Sequence, residues 1–180
     1  MITIIQATNR IDSNTEYASR QVFDFIKKIY SGHVGYVSMQ DLPGEILNTD
    51  PYSKQSMPEK LKLIQDQWII PAEKFIWISP EYNGSYPGVL KLFIDAISVR
   101  NCEESFAFKK SALIGVTNGR SGNIRGLDHL AAVLIHLKSV VYPRLLPISR
   151  VHELMDDKRN IIHDATIMAL EDHLKGFIAF

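Results

Sequence analysis

Cysteine occurs once in this 180-residue chain, at Cys102. A single thiol excludes an intrachain disulfide and a cysteine metal cluster, and it fits a reducing, cytoplasmic compartment. Neither sign of charge is in excess, since Lys plus Arg count 20 and Asp plus Glu count 20. Nucleic-acid and anionic-membrane surfaces draw on a basic surplus, so neither partner is implied. No uncharged apolar run reaches the length of a membrane span. The opening residues, MITIIQATNR, are strand-like with no basic region ahead of them, so no signal peptide is expected there. Low-complexity segments and internal repeats are missing as well.

Several catalytic patterns are also missing. The histidines, at 33, 129, 136, 152, 163 and 173, form no H-x-x-x-H pair, so no metal site is expected. His129 and His136 share a helix face and are read as surface or core residues. Without G-x-S-x-G there is no nucleophile elbow. Without G-x-x-x-x-G-K-[ST] or G-x-G-x-x-G there is neither a P-loop nor a dinucleotide fingerprint. Glu81 has no second carboxylate or histidine near it in sequence, so a structural role is expected for it rather than that of a general base. No catalytic side chain is assigned.

What the chain does have is alternation. Hydrophobic residues make up 46% and charged residues 22%, ordinary values for a globular protein, and no composition break divides residues 1–180. One domain of this length buries about 70% of the surface its unfolded chain exposes. Strand-like runs at 2–7, 34–39, 74–79, 111–117 and, more weakly, 140–145 alternate with helical periodicities at 14–30, 57–70, 124–137 and 160–178 and with a helix face marked by Leu90, Phe93, Ile94 and Ile97. Pro143 inside the fifth run marks a sheet edge or the end of pairing. Five βα units in a row predict an α/β fold of three layers, αβα. The natural arrangement is a doubly wound, parallel, five-stranded sheet of order 2-1-3-4-5.

In such sheets ligands bind beyond the carboxyl ends of the strands, where the strand order reverses. That places the site in the loops after strands one, three and four. The first, ATNRIDSNT (residues 7–15), carries Thr8, Arg10, Ser13, Asn14 and Thr15 into a helix start, a pattern suited to an anion. The bland alternative makes Ser13 or Asn14 an N-cap and Arg10 a solvated charge. The second, PEYNGSYP (80–87), contains the turn pair Asn83-Gly84 and the rings of Tyr82 and Tyr86, and it is long for a plain connection. It predicts one wall of a slot for something flat, against the alternative of a turn with two core-edge tyrosines. The third, TNGRSGNIRG (117–126), offers Gly119, Gly122 and Gly126 for close backbone approach, with Arg120 and Arg125 read as solvated. The loop after strand two (40–56) is long and proline-broken, either a flap or a surface excursion.

The run PEYNGSYPGVLKLFIDAIS (80–98) resembles the signature loop and helix of the NAD(P)H-dependent FMN reductase family, which includes quinone, azo-dye and chromate reductases. That family shows P-E-Y-N, a small residue, then P-G-x-L-K-x-x-I-D. Pro80, Glu81, Tyr82, Asn83, Gly84, Pro87, Gly88, Leu90, Lys91, Ile94 and Asp95 match it. The first loop is similar to the family's G-S-x-R-x-x-S, with Arg10 and Ser13 matching. Ala7, Thr8 and Thr15 depart from it, and Ala131 stands where the family often has arginine. The resemblance implies a flavodoxin-like fold over essentially the whole chain.

It also implies FMN as cofactor and NAD(P)H as co-substrate. Thr8, Arg10, Ser13, Asn14 and Thr15 would then hold the phosphate. Pro80, Glu81, Tyr82, Asn83, Gly84 and Ser85 would line the isoalloxazine, and Thr117 and Gly119 would cover its other polar edge. The implied function is electron transfer from a nicotinamide through flavin to a quinone or similar small acceptor, in a homodimer or homotetramer. The alternative is a non-catalytic flavin-binding electron carrier or binding module.

Overall fold

Five strand positions build one parallel sheet: β1 (Ile2–Gln6), β2 (Val34–Ser38), β3 (Lys74–Pro80), β4 (Lys110–Val116), and an edge shared by β5 (Val140–Val141) and β6 (Leu146–Ile148). The order is β2-β1-β3-β4-β5, with β6 also paired to β4. The computed structural model describes residues 1–47 and 57–180. Helices α1 (Asn14–Ile29), α2 (Glu59–Ile64), α3 (Gly88–Val99), α4 (Cys102–Phe106), α5 (Ile124–His136) and α6 (Asp164–Ala179) cover the sheet.

The strands are apolar at successive positions because both faces are covered. From β1, β3 and β4, the side chains of Ile2, Ile4, Ile76, Ile78, Ala112 and Ile114 join Ala18, Val22 and Ile26 of α1 and Leu170, Leu174 and Phe177 of α6. Their neighbours Ile5, Phe75, Trp77 and Leu113 face the other way, against Leu61 of α2, Leu90, Phe93 and Ile97 of α3, and Leu127, Leu130 and Leu134 of α5. The parallel register aligns Gln6 with Ile78 and Pro80 with Val116. The first, second and third site loops therefore leave the sheet side by side. Chain order reverses across β1, which has β2 on one side and β3 on the other.

The structure departs from the sequence reading at its margins. The fifth strand expected over 140–145 holds only Val140 and Val141, then resumes at Leu146. Pro143 has no N–H to give, and the last bond before the break runs from Tyr142 N to Ser111 O at 2.8 Å. The helix expected over 57–70 is α-helical to Ile64 and then widens to a π-turn over Gln65–Ile69. The closing helix begins at Asp164 rather than 160, because residues 155–161 form a small hairpin bridged from Met155 to Ile161. Helix α4 carried no periodicity long enough to see. Of the loop after β2, residues 39–41 and 44–47 form two 3-10 turns, and the flap reading for 48–56 lies outside the described residues.

One core side chain ties stability to pH. His173 of α6 is 1% exposed, lies edge-on to the Tyr142 ring at 5.4 Å, and has no hydrogen-bond partner for Nε2. Burial holds its pKa down to about 4, with the Arg144 charge acting in the same direction and Asp172 against it. The unfolded chain takes up a proton near 6.5 and the native chain only near 4, so stability is lost as pH falls through that window. The full shift is worth about 3 kcal/mol. His173→Leu is expected to flatten the acid limb of a plot of urea midpoint against pH; an unchanged slope would assign that limb to other groups.

Candidate active site

Three loops meet over the carboxyl ends of β1, β3 and β4. In the first, Ser13 has an extended backbone, with φ −91 and ψ 146, and its Oγ accepts from Glu16 N at 3.2 Å. Ser13 is thus the N-cap of α1, as the bland reading held. A cap leaves the amides of Asn14 and Thr15, in the first helical turn, without intrahelical acceptors. Ser13, Asn14 and Thr15 at this helix start, with Arg10, line a cavity of about 530 Å³. This volume lies in the range of small-ligand sites, roughly 300–1,000 Å³.

The second loop is a miniature hairpin. Tyr82 N donates to Ser85 O at 2.8 Å, and Ser85 N donates back to Tyr82 O at 3.1 Å. Asn83 and Gly84 between them have φ of 51 and 78, both left-handed, the pattern of a type I′ turn. Asn-Gly is the dipeptide such a turn demands. Pro80, Glu81 and Tyr82 line the cavity. Tyr86 instead packs against the core beneath α3, and burial raises its pKa. Tyr82 thus lines the cavity, whereas Tyr86 packs on the core.

Cross-links bind the loops together. Thr8 is fully buried and its Oγ1 bonds Tyr82 Oη at 2.7 Å while accepting from Arg10 N at 3.1 Å, so it joins loops one and two. Asn14 Nδ2 donates to Asn118 Oδ1 at 3.0 Å, joining loops one and three. Ser121 Oγ donates to Glu81, and Asn123 Nδ2 donates to Pro80 O at 2.7 Å and Ser79 O at 3.2 Å. Asn123 is fully buried with a left-handed backbone, φ 64, and its Oδ1 has no partner.

The cavity gathers Thr8, Arg10, Ser13, Asn14, Thr15, Pro80, Glu81, Tyr82 and Thr117 from the sequence reading. Asn83, Gly84 and Ser85 form the hairpin tip beside it, and Gly119 lies outside the lining, its oxygen accepting from Arg150 N at 2.9 Å. Gly122 and Gly126 serve packing: a Cβ at Gly122 would come within 2.5 Å of Pro147, and one at Gly126 within 2.1 Å of Asn123 Oδ1. Arg120 and Arg125 are exposed and do not line the cavity. The structure adds Asn118 and Arg159 to the lining, and it places His129 Nδ1 3.0 Å from Ser85 Oγ. The Asn-Gly that opens loop three was a signal for Asn118; nothing in the sequence pointed to Arg159. Among the described residues no group of His, Cys, Asp and Glu is placed to hold a metal ion.

The donor set fits FMN. N–H groups, hydroxyls and a guanidinium at a helix start suit its phosphate. The backbone ledge of Pro80, Glu81 and Tyr82 offers a flat ring a wall. A doubly wound parallel sheet with a polar helix-start loop after β1 and the Pro80–Tyr82 loop after β3 around one cavity is the flavodoxin-like arrangement. A model of the NADPH-dependent FMN reductase family matches residues 1–153, and the chain belongs to that family. It is an oxidoreductase that uses NAD(P)H and FMN.

The chain is 30% identical over 144 residues to an NAD(P)H-dependent FMN reductase of Pseudomonas aeruginosa, spanning 78% of this chain and 75% of that protein. It is 28% identical over 142 residues to a 2-hydroxy-1,4-benzoquinone reductase of a Burkholderia species, spanning 78% and 76%. The solved structure of a flavoenzyme NAD(P)H:(acceptor) oxidoreductase from Paracoccus denitrificans has a TM-score of 0.78 at 22% identity. It covers 99% of this chain and 94% of that one, a likeness of fold.

Proposed function

We propose that this chain binds FMN in the three-loop cavity and uses it to pass electrons from NAD(P)H to a quinone or similar small acceptor. The supporting observation is the position of the α1 start. Ser13, Asn14 and Thr15 of that start line the same cavity as the Pro80–Tyr82 ledge. In this reading Arg10, Ser13, Asn14 and Thr15 hold the phosphate. Thr8 acts at one remove, since its hydroxyl is engaged by Tyr82 and the Arg10 amide. Pro80, Glu81, Tyr82, Asn83, Gly84 and Ser85 border the ring, and Thr117 and Gly119 its other polar edge. FMN, when bound, supplies the redox chemistry, taking hydride from a nicotinamide and returning electrons to the acceptor. The side chains orient it and exclude water, which agrees with the absence of any acid–base pair in the motifs. The quinone acceptor draws support from the 2-hydroxy-1,4-benzoquinone reductase relative.

We also infer one domain over residues 1–180, a cytoplasmic location and a homodimer or homotetramer. The single cysteine supports the compartment. No helix among the described residues is long and apolar enough to cross a membrane. A groove between α3 and α5, where Ile94, Ala132, Val133 and Leu137 meet Lys91, Asp95, Ser98 and His136, and the 60% exposed Ile135 on α5 are the surface features that support self-association.

The test is a visible spectrum of the purified protein after FMN is added and excess removed. A flavin band should stay with the protein and bleach when NADH or NADPH is added, then return with a benzoquinone. Retention without bleaching would point to the electron carrier instead, and no retention at micromolar FMN would overturn the cofactor assignment.

A further inference from the structure

The first loop contains an acid where an anion is meant to bind. Asp12 directly precedes the α1 cap, has a left-handed backbone with φ 55, and lines the same cavity as Ser13, Asn14 and Thr15. A carboxylate there repels a phosphate. The structure answers this with a residue from the far end of the chain. Arg159 places one guanidinium N–H on Asp12 O at 2.6 Å and another on Asp12 Oδ2 at 3.0 Å. Tyr17 Oη donates to the other carboxylate oxygen at 2.9 Å, and the guanidinium lies 5.1 Å from the Tyr17 ring centroid. That hydrogen bond is the main reason the Tyr17 pKa is raised. Both carboxylate oxygens of Asp12 are therefore engaged, and the Arg159 guanidinium pairs its charge beside the cavity.

The delivery of Arg159 is built. Asp156 N donates to Asn160 O at 2.9 Å, Arg159 N to Asp156 O at 2.8 Å and Ile162 N to Leu154 O at 2.9 Å, which closes the 155–161 hairpin. Arg159 itself is left-handed, with φ 61. Ile161 is buried, and Gln21 of α1 bonds it in both directions, at 3.0 and 2.9 Å. The hairpin is thereby fixed to the same helix whose start faces the cavity. It lies beyond residue 153, where the family match ends.

We propose that Arg159 is a specificity-determining positioning residue: by neutralising Asp12 it lets the first loop accept a phosphate, and so sets the preference for FMN over unphosphorylated riboflavin. This rests on the FMN reading above. A guanidinium suits the role because its planar fork engages the Asp12 backbone oxygen and carboxylate together, which an ammonium does not reproduce.

The experiment is titration of FMN and of riboflavin, by quenching of flavin fluorescence, into the full chain and four variants. Arg159→Gln is expected to weaken FMN about tenfold and leave riboflavin unchanged, because only the phosphate feels the uncovered Asp12 charge. Arg159→Lys, which keeps the charge and loses the fork, should fall between. Asp12→Asn should keep FMN binding. The double variant Asp12→Asn with Arg159→Gln should recover most of what Arg159→Gln loses, because the Asp12 carboxylate is gone. Equal losses for both flavins in Arg159→Gln, or no recovery in the double variant, would reduce Arg159 to mechanical support of the loop and overturn the proposal. So would a wild-type preference for FMN that Arg159→Gln leaves intact. A wild-type chain that binds neither flavin would instead remove the FMN reading, and this proposal with it.

Discussion

Asn14→Asp should cost FMN binding about 1.5–3 kcal/mol, roughly ten- to a hundredfold in affinity, with almost no change in thermal stability. The exchange is isosteric and falls in the first turn of α1, facing the cavity. For the folded chain alone, two small effects oppose. An acid in the first turn of a helix gains about 0.3–1 kcal/mol from the helix dipole. Loss of the Asn14 Nδ2 to Asn118 Oδ1 bond, at 3.0 Å and exposed, gives back a similar amount, about 0.5–1 kcal/mol. For a bound phosphate both changes are adverse, since a donor is lost and a like charge arrives. Titration of FMN and riboflavin alongside calorimetric unfolding would measure each part. FMN affinity within twofold of wild type would place the phosphate elsewhere than the α1 start.

Asn123→Ala should lower stability by about 3 kcal/mol and loosen the ring ledge. The side chain is fully buried and is the donor that holds Pro80 O at 2.7 Å and Ser79 O at 3.2 Å. Removing it takes a donor from both carbonyls, leaving Pro80 O the Ser79 hydroxyl at 3.0 Å. Alanine is also poorly suited to the left-handed backbone at this position, φ 64. Asn123→Gly separates the two costs, since glycine accepts that conformation and should be about 1 kcal/mol more stable than alanine there. Chemical denaturation would read both variants. A midpoint for Asn123→Ala close to wild type would mean that the β3 end is held by its strand pairing alone.

The central elements were legible because their physics is periodic. Runs such as ITIIQ and KFIWIS announce strands covered on both faces, and Leu90, Phe93, Ile94 and Ile97 announce a helix stripe. The order of units then gave the sheet, and the sheet placed the loops. What escaped was non-periodic or distant. The break of the edge strand is one missing N–H, at Pro143. The 155–161 hairpin is seven residues held by local turn bonds. Arg159 meets Asp12 across 147 positions of sequence, a separation no local pattern encodes. Asn123 looked like one more polar loop residue, and its task is visible only when β3 and the start of α5 are brought together.

The broken edge has a consequence for how copies of this chain behave in a crowded solution. An open parallel sheet ends in a row of unpaired amides that can seed the growth of ordered aggregates. Here the outermost strand is two short pieces, Val140–Val141 and Leu146–Ile148, separated by Pro143 and carrying Pro147 in the second. Neither piece is long enough to template a foreign strand, and proline removes a donor from each region. The same interruption that hid the fifth strand from its sequence pattern closes that side of the sheet to further recruitment.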